Sequence, residues 1–256
     1  SIADYLLAYT AAAELISGVP LLDAPDRDTF TRILNERVVP ALGIPGSYTA
    51  RGRQFDSVVK YLMGADQQGH DLPLRLQGLQ RRYLPNMLWR NPDVEKEDRL
   101  GARASSTAHI KYRIDPGLGL SEADLNARVR RLSPAKDGRS PSVNPVYAER
   151  TGKLTVPLIT LHETGDAWVP LSLEQSYRRR TIAAGTSDLL VQRVFRAGSH
   201  CGFYGETRER TFDDLVAWVE RGVKPEGEDV LARDLSGIGM KWTPILFPDD
   251  PLFVKR

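Results

Sequence analysis

Two short apolar runs near the C-terminal end set the tightest limit on the fold: Leu154–Leu161 (LTVPLITL) and Leu189–Phe195 (LLVQRVF). Each has the length of a strand, and neither alternates apolar with polar residues as a half-exposed strand would. A run that is apolar on both faces belongs inside a parallel sheet, with helices above and below it. Between the runs, Ser172 and Gln175 have the spacing of a capping box, which predicts a helix reaching about Ala184, with Gly185 just past its end. After the second run comes a loop, 196–205. Thr211 is then placed to cap a last helix whose apolar face is Phe212, Leu215, Val216 and Val219, with Gly222 beyond it. The order strand, helix, strand, helix is the grammar of an α/β sheet covered by helices. Two strands cannot build such a sheet, because each buried strand needs neighbours. The remaining strands are expected from another polypeptide or from residues outside this sequence.

The preceding part of the chain has a different period. Ile2, Tyr5, Leu6, Tyr9, Ala13 and Ile16 share one face of a predicted helix, ended by Gly18 and Pro20. Asp28 is placed to cap a second, carrying Phe30, Ile33 and Leu34 and closed by Pro40 and Gly43. Phe55, Val58, Val59, Leu62 and Met63 form a third stripe before Gly64, and Leu72, Leu76, Leu79 and Tyr83 a fourth. Ser121 and Asp124 read as a capping pair ahead of Leu125, Val129 and Leu132. The stretch 135–145 reads as a loop. The division expected is a helical region, 1–140, followed by the end of an α/β core with an extended tail, 141–256.

Charge and composition exclude several classes. The 35 basic and 33 acidic residues leave a net charge of +2, without the basic excess that nucleic-acid binding demands. Arg178, Arg179 and Arg180 read as a solvated helix face. No run approaches the ~18 apolar residues of a membrane span. His162 and Glu163 match no metal-site spacing, and no cofactor is expected. The one cysteine, Cys201, cannot make a disulfide within the chain.

Two residues follow the strands directly. Asp166 lies in Thr-Gly-Asp-Ala-Trp-Val-Pro after the first, and His200 in Ala-Gly-Ser-His-Cys-Gly-Phe after the second. Parallel strands all point one way, so both fall at the sheet's carboxyl edge, where such folds place their sites. A carboxylate there can accept an imidazole Nδ1–H and stabilise the imidazolium formed when the ring takes a proton from a hydroxyl. Asp is also common after Gly in plain turns; the matching histidine is what favours the acid-and-base reading. Trp168 and Tyr204 flank the pair and are candidates either to line a substrate pocket or to pack in the core.

The segment Leu154 to Arg221 resembles the end of the α/β-hydrolase fold. There the acid follows the penultimate core strand and the histidine the last, in the chain order nucleophile, acid, histidine. On that resemblance Asp166 is the triad acid and His200 the base. The helical region then corresponds to the cap that many relatives insert between later core strands. Three departures stand out. No Gly-x-Ser-x-Gly nucleophile turn is present, since Gly198-Ser199-His200-Cys201-Gly202 centres on histidine; the Gly-rich oxyanion-hole segment that belongs near the family's N-terminal strands is missing; and Glu163 stands where many relatives carry glycine. The resemblance therefore implies a serine supplied by a companion N-terminal chain, which would make the protein a proteolytically processed heterodimer. The ending His200-Cys201-Gly202, with Thr211 to Gly222 and Pro225, is similar to the tannase and feruloyl-esterase branch. In that branch the cysteine after the histidine pairs with one beside the serine. This implies a disulfide from Cys201, an oxidising extracytoplasmic location (secreted or periplasmic) and a small-molecule or polymeric ester substrate. Cys201 as a small buried hydrophobe is the competing reading. An amidase or peptidase with the same triad, and a binding protein that keeps the fold without a nucleophile, remain the rival functions.

Overall fold

The structure, a computed structural model, describes residues 2–44, 46–64, 105–134, 136–140, 142, 148, 150–166, 169–197, 203 and 205–242. The predicted helix around Leu72–Tyr83 lies outside them. The chain divides into two compact units, Ser1–Leu62 with Leu74–Glu149, and Met63–Pro73 with Arg150–Arg256.

The first unit is built on α1 (Ile2–Ser17), which follows the predicted stripe and ends where Gly18 takes a φ of 72°. Its alanine-rich surface is buried almost all round, so α4 (Ala50–Leu62) packs closely against it. Tyr9 meets Phe55 edge to face at 5.0 Å, beside buried Ala8, Ala12, Val58 and Val59. Such a pair adds about 1 kcal/mol to the area it buries. Arg51 donates to the Ser17 carbonyl at 2.6 Å, satisfying an orphaned helix-end acceptor.

The second helix differs from its sequence reading in both cap and end. Asp26, not Asp28, caps α2 (Arg27–Ile33), because its carboxylate reaches the Thr29 N–H at 2.7 Å. Pro40 does not stop the chain's helical path. A π-turn at Leu34–Val38, in which the Val39 N–H reaches back to the Leu34 carbonyl, widens the helix ahead of α3 (Val39–Leu42). Pro40 then sits in the first turn of α3, where its missing N–H costs nothing. Gly43, at φ 77°, turns the chain into a short hairpin of β1 (Gly43–Ile44) and β2 (Ser47–Tyr48).

Ser121 caps α5 (Glu122–Arg128) as expected, accepting the Asp124 N–H at 3.0 Å. The helix stops at Val129 and never reaches Leu132. Leu132 instead exchanges bonds with Thr107, its carbonyl accepting at 2.8 Å and its N–H donating at 2.9 Å. Asp115 gathers Ser57, Lys60 and Tyr61 at 2.6–2.7 Å, tying residues 110–118 to α4.

The second unit holds the parallel pair β3 (Leu158–Glu163) and β4 (Leu190–Phe195), in register from Leu158 opposite Leu190 to Glu163 opposite Phe195. The first strand starts only after Pro157, and Val156 is exposed, so the expected strand at 154–157 is not formed. Between them runs α6 (Leu171–Ala183), with Gly185 past its end at φ 71°. Ser172 and Gln175 do not form the expected capping box. The Ser172 N–H goes to the Met63 carbonyl at 3.0 Å, and Gln175 donates to Gly64 and Val230 carbonyls at 2.9 and 3.0 Å. These bonds attach Met63 and Gly64 to the start of α6.

Strand alternation assigns the two faces. Thr160 and Gln192 lie side by side on one face and both bind Glu174 of α6. Leu171 and Val194 meet Val230, Leu235 and Ile238 in the core on that side. The other face carries Arg193, whose guanidinium binds Asp214 at 2.6 Å and Thr211 at 3.3 Å in α7 (Gly205–Arg221). This last helix begins at Gly205, not at Thr211. Thr211 is internal and its hydroxyl bonds back to the Thr207 carbonyl at 2.8 Å. The predicted apolar face of α7 is only partly covered: Phe212 and Val219 are 65% and 62% exposed, while Leu215 and Val216 are half-buried.

The two edges of the sheet are unlike. Residues 226–228 run along β4, with the Glu228 N–H on the Gln192 carbonyl at 2.7 Å. On β3, the Thr164 N–H bonds to the Phe195 carbonyl at 2.8 Å. Parallel pairing alternates, so the amides and carbonyls of Ile159 and Leu161 point away from β4, and no partner for them is found among the described residues. Residues 158–161 are accordingly half-buried, where burial on both faces was expected.

Candidate active site

The acid's turn is built by the end of β3. The pairing with β4 continues past the last strand residues: the Thr164 N–H donates to Phe195 and the Gly165 N–H to the Ala197 carbonyl, both at 2.8 Å. Asp166 then folds back, its N–H 3.3 Å from the Glu163 carbonyl. Its side chain is 5% exposed, and Oδ1 accepts the Val169 N–H at 3.0 Å. That bond orients the carboxylate and offsets part of the cost of burying it.

The histidine's loop leaves β4 at Arg196. His200 itself, with Gly198, Ser199, Cys201, Gly202 and Tyr204, lies outside the described residues, as does Trp168. The loop's two ends are described. Ala197 is bonded to Gly165 in the acid's turn, and Phe203 packs edge to face on Phe195 at 5.5 Å. Both described ends therefore lie at the carboxyl edge of the pair, Ala197 bonded to the residue before Asp166 and Phe203 against the last residue of β4. Chemically, a buried and oriented carboxylate such as that of Asp166 can fix the tautomer of an imidazole brought to it.

His162 faces the α6 side of the sheet, with Nδ1 4.0 Å from Glu174, whose other oxygen receives Thr160 at 2.6 Å and Gln192 at 2.5 Å. Among the described residues no group of three or more side chains could hold a metal ion, and no helix is long and apolar enough to cross a membrane.

Residues that sequence reasoning passed over surround the start of the histidine loop. The Arg196 Nε donates to the Ile238 carbonyl at 2.8 Å, and Nη2 donates to the Ser236 carbonyl. Both oxygens of Glu228 receive the Gly239 N–H, at 3.0 and 2.9 Å. Burial pushes the Glu228 carboxyl above its ordinary value, against the pull of that N–H and of the Arg196 charge. Burial likewise lowers Arg196. No periodic or motif signal marks the tail that makes these contacts. Neither a protein-family model, nor a curated protein, nor a solved structure matches this chain.

Proposed function

We propose that the chain is the acid-and-base portion of a serine hydrolase whose nucleophile is carried by a companion polypeptide. One observation carries the reading: the turn of Asp166 is hydrogen-bonded to the residue from which the loop of His200 departs, at the carboxyl ends of two parallel strands. In this reading a serine hydroxyl gives its proton to His200 as it attacks a carbonyl. His200 returns that proton to the leaving group, and Asp166 holds the ring and stabilises its cation. Among the described residues nothing pairs with the outer edge of β3, and Phe212 and Val219 of α7 are exposed; both favour a sheet continued by the companion. Ester cleavage is the favoured reaction, on the tannase-like ending; amide cleavage uses the same residues. Trp168 and Tyr204 are the proposed pocket residues, and Cys201 the proposed disulfide partner of a cysteine beside the serine, which would require an oxidising compartment.

The test is kinetic. With p-nitrophenyl butyrate and the native assembly, His200→Ala and Asp166→Asn should each lower kcat by about 10⁴-fold with an unchanged circular-dichroism spectrum. Either variant retaining a tenth or more of parental turnover removes that residue from the mechanism.

A further inference from the structure

We propose that residues 226–240 are a brace that fixes Arg196 and Ala197, at the end of β4, against the turn of Asp166, with Arg196 as its positioning residue. The inference rests on the acid-and-base reading and assigns a task to a segment that the triad does not use.

The brace is fastened at both ends. At one end the Glu228 N–H holds the Gln192 carbonyl at 2.7 Å, and Gly227 is so close that a Cβ would lie 2.8 Å from the same oxygen. At the other end Leu235 and Ile238 are buried against Leu171 and Val194. Between these points Glu228 grips Gly239 with both oxygens. This closes 228–239 into a loop whose Ser236 and Ile238 carbonyls face Arg196. Gly239, at φ 80°, leaves room for Arg196 that a side chain would take: a Cβ there would stand 2.9 Å from Arg196 Cγ and 3.2 Å from its nitrogen.

Arg196 is thus fixed through its guanidinium and against its backbone. The next residue, Ala197, accepts the Gly165 N–H at 2.8 Å, and Gly165 precedes Asp166. The contacts run from the brace to Arg196, to Ala197, to Gly165 and to the carboxylate, and His200 follows Ala197 in the same loop. A triad hydrogen bond tolerates little error, since a misplacement of ~1 Å can cost ~10²-fold in rate. A segment that fixes residue 196 on two carbonyls supplies that tolerance from outside the triad. An arginine that served only to hold the tail down would change stability and leave the histidine's titration alone.

The experiment reads that titration in the native protein, companion included. Histidine ring signals are followed by NMR against pH, with His200→Gln assigning the resonance. A neighbouring carboxylate favours the imidazolium, so His200 should titrate roughly one unit above the ordinary ~6.5, and Asp166→Asn should remove that rise. Arg196→Met should lose at least half of it and lower kcat on p-nitrophenyl butyrate roughly tenfold with KM little changed. Arg196→Lys, which keeps a donor, should recover part of both. Glu228→Gln, nearly isosteric, should move the titration in the same direction by less, and it decides the matter if Arg196→Met does not fold. The brace is refuted if Asp166→Asn shifts His200 while neither Arg196→Met nor Glu228→Gln does. If Asp166→Asn itself leaves His200 unmoved, the acid-and-base reading fails and takes the brace with it.

Discussion

Gly52 offers a prediction in which two effects of opposite sign are separable. It lies in the first turn of α4, where propensity alone says that Gly52→Ala should stabilise by up to about 1 kcal/mol. The structure says otherwise. A Cβ at residue 52 would stand 1.7 Å from the Leu42 carbonyl oxygen and 2.8 Å from both its carbon and Tyr48 Cδ1. Ordinary contact lies beyond ~3.3 Å, so the start of α4 and the end of α3 must part by roughly 1.5 Å. The Leu42 oxygen is also the acceptor for the Thr49 N–H at 3.0 Å and its hydroxyl at 3.1 Å, and that hydroxyl caps the Gly52 N–H at 3.0 Å. Losing these bonds costs about 1 kcal/mol each, and residual overpacking adds 1–3 kcal/mol. Set against the propensity gain, the net is a destabilisation of about 3–5 kcal/mol. At this chain length that lowers Tm by roughly 6–20 °C. Gly205, first in α7, is the control: among the described residues the nearest atom to its Cβ is 4.0 Å away, so Gly205→Ala should be neutral or mildly stabilising. Urea unfolding of both variants of the native protein checks the pair. A Gly52→Ala midpoint equal to or above the parent would refute the reasoning about close approach.

Three other outcomes are expected. Cys201 should resist alkylation in the denatured, unreduced protein, and Cys201→Ser should cost about 2–4 kcal/mol of stability and some turnover; full alkylation before reductant is added would exclude the disulfide. Burial raises the Asp115 carboxyl, but hydrogen bonds from Lys60, Tyr61 and Ser57 outweigh it, so its folded pKa lies below its ordinary value. Its stabilisation is therefore complete above that ordinary value and is lost as pH falls through the folded one. Asp115→Asn should be less stable than the parent at neutral pH and converge with it in acid, and parallel acid melts would contradict this. Glu228 has the opposite sign: its folded value is raised, so its ionisation opposes folding as pH rises from the ordinary carboxyl range to the folded value. Stability profiles of Glu228→Gln and parent should diverge across that window, with flat divergence counting against it.

The sequence was most informative where a pattern is local. The stripe of α1 and the turn glycines Gly18, Gly185 and Gly222 are legible because 3.6-residue spacing and positive φ are local properties. So is the turn at Asp166, which directly follows a strand. Caps were less legible. Asp26 and Asp28 flank one helix start, and only geometry decides that Asp26 reaches Thr29. Thr211 resembles a cap, but α7 begins earlier, at a position with no Ser, Thr, Asp or Asn before it. Periodicity marked the stripe Phe212 to Val219 as apolar but could not say what it packs on. The face that meets the sheet does so through the charge on Arg193, which is 2% exposed and lies 4.2 Å over Trp242. The contacts of Arg196 with Ser236 and Ile238, like the grip of Glu228 on Gly239, join residues far apart in the chain, and no local pattern encodes them.

The most direct measurement of the central claim is the location of a covalent serine probe. The native protein is treated with a fluorophosphonate, its polypeptides are separated after reduction, and each is weighed intact. The account predicts one adduct, on a serine of the companion polypeptide, formed at a rate that collapses in His200→Ala and Asp166→Asn. An adduct on a serine of this chain, or labelling that proceeds unchanged in both variants, would contradict it.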